Sequence, residues 1–161
     1  MDILYAPWRE AYFGEKPNEC VFCAIANDSQ NDFANKVIYR NDELFIVMNK
    51  FPYTPGHILI VPHTHEDSPE KLPSDIWLNL FKTAQDSMQI LYDYGASGIN
   101  MGMNIKKSGG AGIPAHLHLH LLPRWSGDTN FITSIANTRS FGIDFEKVYE
   151  RFAELAKKYL R

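Results

Sequence analysis

The chain has 161 residues, of which 45% are hydrophobic and 22% are charged, and its formal net charge at pH 7 is −3. That length suits one domain, and a slightly acidic chain is a poor candidate for sequence-independent binding of nucleic acid. No apolar run is long enough to span a bilayer, and residues 1–5 lack the start of a signal peptide, so we expect a cytoplasmic protein with no nucleic-acid or membrane partner.

Residues 1–35 are polar and aromatic, and we expect loops and short helical turns there. They would form an N-terminal extension of a single domain that covers residues 1–161. The extension contains the two cysteines of the chain, Cys20 and Cys23. Without an export signal, a Cys-x-x-Cys pair is more typical of metal binding or redox chemistry than of a structural disulfide. We expect no redox cofactor.

Three strands are predicted next. Residues 36–40 and 43–48 are rich in β-branched and aromatic side chains and are joined by an Asn-Asp turn signal. A third strand is predicted over residues 57–61 and ends at Pro62. The short connections predict an antiparallel meander.

The second half of the chain begins with helical periodicity. Apolar residues recur at three- and four-residue spacing over residues 74–94, with Ser74 as a candidate N-cap. Alternation over residues 99–105 predicts a strand with one small, polar face. A flexible glycine-rich loop follows at 107–112, and a second helix is predicted over 144–160.

Histidines alternate with leucines after the glycine-rich loop. His116, His118 and His120 occupy every second position, so on a strand their imidazoles share one face and the leucines fill the core. With this strand, the element order predicts an α+β fold. It would have an antiparallel five-stranded sheet, one long central helix and a C-terminal helix.

The alternating histidines are the predicted functional site. Histidine acts near neutral pH as a nucleophile, proton carrier or metal ligand. Three buried histidines held only by hydrogen bonds are the structural alternative. Three at this spacing, beside a glycine loop whose N–H groups can approach phosphate oxygens, favour chemistry. Asn104, on the polar face of the preceding strand, could donate to the same phosphates.

The string HLHLHLLPR at 116–124 resembles the signature of the histidine triad (HIT) family. The segments at 49–62 and 100–125 are similar to the family's nucleotide-binding turn and to its phosphate loop with the catalytic strand. Three further segments resemble one branch of the family, the bacterial diadenosine tetraphosphate phosphorylases. They are LYAPWR at 4–9, GMN at 102–104 and PRWSGDTNF at 123–131.

The resemblance implies a HIT-like fold and roles for three histidines. His118 matches the nucleophile that attacks the α-phosphorus and forms a covalent nucleotidyl-histidine. His120 matches the residue that binds phosphate oxygens or the leaving group, and His57 matches a supporting histidine. Asn49 matches a ribose contact, although a turn-capping role is an equal alternative from the residues alone.

The resemblance also implies a substrate site around the loop. Its predicted residues are Asn49, Asn104, Gly110, Ala111, Gly112, His120 and Trp125. Gly112 stands where many family hydrolases carry glutamine or serine, which would leave room for inorganic phosphate as a second substrate. Lys106 or Lys107 would then offset its charge. Phe45, Ile46 and Phe51 are candidates for a base pocket, and a core role is the alternative.

A structural zinc ion is implied by the same resemblance. Zinc favours thiolate and imidazole ligands in a tetrahedron, and Cys20, Cys23, His65 and His116 match the positions that bind it in several HIT proteins. His63 is a competitor for His65.

The acceptor of the nucleotidyl group remains open. Phosphate would make the protein a phosphorylase that converts diadenosine tetraphosphate to ADP and ATP, and water would make it a hydrolase of dinucleoside polyphosphates or adenosine phosphoramidates. A nucleotide-binding regulatory module with structural zinc is an alternative of another class. A catalytic metal on all three triad histidines is disfavoured, because Leu121-Leu122 replaces the Asp-His of many metallohydrolases. Family proteins are usually homodimers, and we expect one here.

Overall fold

The structure, a computed structural model, describes residues 19–128 and 142–160. The segment at 4–9 and the last three residues of the segment at 123–131 lie outside this range. Among the described helices, none is both long enough and apolar enough to cross a membrane.

Five antiparallel strands form one sheet, in the order β1-β2-β3-β5-β4. This confirms the predicted α+β fold and the antiparallel five-stranded sheet. The strands are β1 (Val37–Arg40), β2 (Leu44–Met48), β3 (Ile58–Pro62), β4 (Gly98–Gly102) and β5 (Leu119–Arg124).

Four α-helices accompany the sheet in the described part of the chain. They are α1 (Val21–Asn27), α2 (Asp32–Asn35), α3 (Ser74–Asp93) and α4 (Phe145–Tyr159). The predicted long helix and C-terminal helix are confirmed as α3 and α4. The prediction of Ser74 as N-cap is wrong, because the carbonyl of Pro73 accepts the first helical hydrogen bond, from the N–H of Trp77.

The two faces of the sheet carry different cores. Helices α3 and α4 cover one face, where Leu119 and Leu121 of β5 join the larger core. The other face carries a smaller core that includes Leu59 and Phe22. His120 lies directly opposite Leu59 in the β3–β5 register. The histidines therefore emerge beside the smaller core, on the face away from the long helices.

Two strands are shorter than predicted. β5 begins at Leu119, so His116 and His118 precede it. The N–H of Leu117 donates to the carbonyl of Glu66 at 2.7 Å, outside the sheet, and the ladder between β3 and β5 begins with the pair Ile60 and Leu119. β4 ends at Gly102, which pairs with His120, the second residue of β5.

A glycine two residues before β3 allows the chain to turn towards the histidines. Gly56 has φ +77°, and a Cβ there would lie 2.8 Å from the ring of Phe152 and 3.2 Å from Pro123. Both the left-handed backbone and the close approach require glycine. The turn that it allows places His57 on the same side of the sheet as His120.

Candidate functional site

A backbone carbonyl distinguishes the two ring nitrogens of His118. Its Nδ1 lies 2.9 Å from the carbonyl oxygen of His116. Because a carbonyl only accepts, Nδ1 carries the proton, and Nε2 of the neutral ring keeps its lone pair. His118 is 5% exposed, and burial lowers its pKa. The ring is therefore neutral near pH 7, as a nitrogen nucleophile must be.

His57 and His120 form a second hydrogen-bonded chain. The N–H of Tyr53 donates to Nδ1 of His57 at 3.2 Å, so the proton of neutral His57 is on Nε2. That Nε2 donates to Nδ1 of His120 at 2.8 Å. The proton of His120 is consequently on its Nε2, which is buried and has no hydrogen-bond partner among the described residues. An N–H so placed can be donated to a phosphate or leaving-group oxygen.

Both members of this pair are neutral near pH 7. Burial, and then the charges of His120 and His118, lower the pKa of His57 to about 3. Burial, and then the charge of His118, lower the pKa of His120 to about 4. Each ring of this hydrogen-bonded chain therefore carries one proton, and both protons are on Nε2.

Acid is expected to destabilise the fold through His57 and His120. An unfolded histidine binds a proton near pH 6.5, whereas these folded ones do so only near pH 3 and 4. Between those values the unfolded state binds more protons, so the free energy of unfolding rises with pH, by at most about 1.4 kcal/mol per pH unit for each histidine. Their contribution is complete above the unfolded pKa and is lost as the pH falls towards 4.

Thermal melts over this pH range measure the effect. We expect the Tm to fall with pH in the wild type and to fall less steeply in His57→Asn. Parallel pH profiles for the two proteins would contradict the assignment to His57.

Two aromatic side chains that the sequence analysis did not single out contact the triad. Phe22 is 3% exposed, and its ring centroid lies 5.1 Å from that of His118. Tyr53 is half exposed, and its ring centroid lies 4.9 Å from that of His57. Phe22 is inside the Cys-x-x-Cys motif and Tyr53 is four residues before His57. That closeness to the motifs is the signal that could have identified them.

The four predicted metal ligands lie together. Their ligand atoms are within 4.8 Å of one another. Sγ of Cys23 is 3.0 Å from Nδ1 of His65, and Nδ1 of His116 is 3.4 Å from Sγ of Cys20 and 3.6 Å from Sγ of Cys23. Sulfur and nitrogen ligands of a tetrahedral zinc are about 3.6 Å apart. Nε2 of His116 donates to the carbonyl of Pro62 at 2.8 Å, which directs the Nδ1 lone pair to the sulfurs. The residues therefore fit a four-coordinate metal.

The structure separates His65 from its competitor. Nε2 of His63 lies 2.9 Å from the carbonyl oxygen of Asn41, and its ring packs on Phe45. The two histidines are two residues apart, yet His65 is the one beside the cysteines.

A metal shared by all three triad histidines does not match this geometry. One nitrogen of His116 faces the sulfurs and the other donates to a carbonyl, so His116 has none to share with His118 and His120. Within the described residues, the group that could hold a metal is the set of two cysteines and two histidines.

Asn49 contacts His57. Its Nδ2 lies 3.1 Å from Nδ1 and 3.4 Å from Nε2 of that ring, and a position so nearly equidistant is off the direction of the Nδ1 lone pair. Its Oδ1 accepts from the N–H of Phe51 at 2.9 Å, which is a turn-capping contact. The ribose contact of Asn49 stays a prediction.

Some backbone N–H groups of the glycine loop donate hydrogen bonds to nearby backbone carbonyls. The N–H groups of Gly110 and Ala111 donate to carbonyls within the loop, at 3.0 and 3.2 Å. A Cβ at Gly109 would clash with the carbonyl oxygen of Ile105, so the tight turn requires glycine there. Two of the predicted phosphate donors are thus committed to the turn in this conformation. Phosphate binding at Gly112, which is exposed, stays a prediction.

Other predicted substrate residues are placed differently. Trp125 contacts Tyr94, which packs on the larger core, so the structure does not bring Trp125 to the triad. Ile46 belongs to the same core and cannot line a pocket beside the histidines, whereas Phe45 lies on their face. Asn104 is partly buried two residues beyond the end of β4.

Three imidazoles on one face, next to the turn before β3 and a glycine loop, define the class of histidine triad proteins. A family model of the HIT domain matches residues 30–127. The chain belongs to this family of nucleotide-processing enzymes.

Known proteins of the family differ in what they act on. An AP-4-A phosphorylase from Mycobacterium tuberculosis is 30% identical over 145 residues, which cover 84% of this chain and 74% of that protein. An adenylylsulfatase from Arabidopsis thaliana is 26% identical over 130 residues, which cover 80% of this chain and 64% of that protein. The crystal structure of a Zn-bound histidine triad family protein from Mycobacterium smegmatis superposes with a TM-score of 0.69 at 26% identity, covering 87% of this chain and 97% of that chain.

Proposed function

We propose that this protein transfers a nucleotidyl group from a dinucleoside polyphosphate to inorganic phosphate, converting diadenosine tetraphosphate to ADP and ATP. The observation that carries the proposal is a lone pair on His118 beside an N–H on His120, both without a hydrogen-bond partner in residues 19–128 and 142–160, in rings 4.9 Å apart. One ring offers a nucleophile and the other a proton. The similarity to an AP-4-A phosphorylase supports this choice of substrate.

In the first step, Nε2 of His118 attacks the α-phosphorus in line, and a N–P bond forms as the P–O bond to ATP breaks. The Nε2 proton of His120 passes to the leaving oxygen. The carbonyl of His116 holds the Nδ1 proton and stabilises the positive charge that develops on the ring of His118. His57 keeps the ring of His120 in the donating orientation.

In the second step, an oxygen of inorganic phosphate attacks the same phosphorus and the N–P bond breaks. ADP leaves, neutral His118 is restored, and the proton lost by the phosphate returns to Nε2 of His120. Gly112, which has no side chain, would leave room for this second anion, and Asn104 would donate a hydrogen bond to it. Lys106 or Lys107 would offset its charge.

Product analysis with labelled phosphate tests the acceptor. Turnover of diadenosine tetraphosphate is expected to rise with phosphate, and the label is expected in ADP while ATP forms in equal amount. Asn104→Ala is expected to slow this reaction by about tenfold, because it removes one hydrogen-bond donor to the phosphates. Asn79→Ala on α3, whose amide contacts Glu43, is a matched control that should retain the wild-type rate.

The other candidate functions give different products. AMP and ATP formed at the same rate without phosphate would identify a hydrolase. The similarity to an adenylylsulfatase is the observation that favours this alternative. Tight nucleotide binding without either product would identify a regulatory module.

We also propose that Cys20, Cys23, His65 and His116 hold a structural zinc ion. Two thiolates and two imidazoles are a typical zinc donor set, and four protein ligands leave no position open for substrate. The Zn-bound relative supports this assignment. A zinc ion there would tie the start of α1 to the segment before β5.

A homodimer paired through β4 is the proposed assembly. β4 is an edge strand of the sheet, and its Met101 is 45% exposed. The free backbone groups of an edge strand can pair with the same strand of a second copy across a two-fold axis. Sedimentation equilibrium is expected to give twice the chain mass of 18.4 kDa, and a mass of one chain would contradict the pairing.

A further inference from the structure

We infer that Phe22 is a positioning residue for the nucleophile, and that the metal site holds Phe22 in place against His118. The inference rests on the proposed nucleotidyl transfer for the role of His118. It adds a link between the metal site and the reacting nitrogen.

Predicted metal ligands lie on both sides of Phe22 in the sequence. It lies between Cys20 and Cys23 and is the one buried residue of α1. The helix has seven residues, and the side chain of Cys20, at its N-cap position, makes no capping hydrogen bond. So short a helix has little stability of its own. Its position therefore depends on the burial of Phe22 and on whatever holds the two sulfurs.

The ring of Phe22 bridges the two functional sites. Its centroid is 5.5 Å from the ring of His116, a metal ligand, and 5.1 Å from the ring of His118, the nucleophile. On its third side it meets Phe45 at 6.4 Å. These contacts bury Phe22 to 3% exposure, so a shift of this ring must be shared by its neighbours.

Packing restrains rotation of the His118 ring, which its single hydrogen bond does not restrain. The Nδ1 bond to the carbonyl of His116 fixes which nitrogen is protonated, but one bond leaves the ring free to rock about its own axis. The ring of Phe22, tilted 52° against it, and the ring of His120 at 4.9 Å confine that motion. The direction of the Nε2 lone pair, on which in-line attack depends, is thereby set.

Histidine NMR tests this link without needing turnover. The full chain carrying ¹⁵N-labelled histidine and loaded with zinc is compared with Phe22→Leu, which keeps an apolar side chain but loses the flat ring. The control is Phe33→Leu in α2, where Phe33 is 68% exposed and packs on Tyr149 away from the triad. Zinc content and Tm are measured for all three proteins.

Phe22→Leu is expected to retain its zinc, to shift and broaden the imidazole signals of His118, and to lower kcat about tenfold with KM changed by less than about twofold. Phe33→Leu is expected to match the wild type. Removing zinc from the wild type with a chelator, at a temperature where the circular dichroism is unchanged, is expected to perturb the same His118 signals.

Wild-type His118 signals and kcat in zinc-loaded Phe22→Leu would overturn the positioning role. Unchanged His118 signals in folded, zinc-free wild type would overturn the link to the metal. Failure of the proposed function would give a different result from failure of this inference. The His118 signals would respond as expected, but no labelled ADP would form.

Discussion

His118→Ala is expected to lower the rate of phosphorolysis by at least about 10³-fold, the scale seen when a covalent nucleophile is removed. His120 cannot replace it, because Nδ1 of His120 is bonded to His57 and Nε2 of His120 carries the proton that the leaving group needs. The fold is expected to survive, since the lost side chain leaves the larger core intact. Steady-state assays with diadenosine tetraphosphate and phosphate measure the rate, and calorimetry with ATP is expected to show nucleotide affinity within about threefold of the wild type.

His63→Ala is the matched control for this variant. His63 is also partly buried on the same face, but it contacts the carbonyl of Asn41 and the ring of Phe45 instead of the triad. It is expected to retain the wild-type rate. Activity of His118→Ala close to that of the wild type would exclude a nucleotidyl-His118 intermediate.

One zinc ion per chain is expected in protein purified without chelators, and Cys20→Ser or Cys23→Ser is expected to lose it. The binding energy of a structural zinc is also folding energy, so the Tm is expected to fall by roughly 10 °C or more. The rate of the fraction that remains folded is expected to fall far less than in His118→Ala, because the ion contacts no substrate. Metal analysis and thermal melts measure the two quantities.

Variants of His63 and His65 test which of these two histidines binds the zinc ion. His65→Ala is expected to lose zinc, because its Nδ1 is 3.0 Å from the sulfur of Cys23. His63→Ala is expected to keep it. Absence of zinc from the wild-type protein, or the reverse order of the two histidine variants, would refute the proposed ligand set.

The sequence alone was sufficient to predict most of the fold. Its apolar periodicity located α3 and α4, and its alternation located β4 and the histidine-bearing strand. These patterns are local, because a helix or strand face is defined by neighbours a few residues apart. The HIT signature is local too, so the sequence identified the family from a run of nine residues.

The sequence also proposed site residues whose roles remain predictions. The structure brings some of them together and places others apart. It brought His57 to His120, and His65 to Cys23, as expected. It placed Trp125 against Tyr94, which packs on the larger core. The resemblance of the segment that contains Trp125 does not determine the partner of this side chain, because residues 125–128 form a turn after β5.

The protonation pattern of the site was decided by tertiary structure. The proton of His120 is on Nε2 because His57, 63 residues earlier in the chain, donates to its Nδ1. His116 presents Nδ1 to the sulfurs because the carbonyl of Pro62, 54 residues away, accepts from its Nε2. The start of β5 likewise depends on a distant group, because the N–H of Leu117 donates to the carbonyl of Glu66 instead of continuing the ladder with β3. A tautomer, a strand end or a ring contact such as that of Phe22 on His118 is set by the atom that folding brings opposite, and the local sequence does not specify that atom.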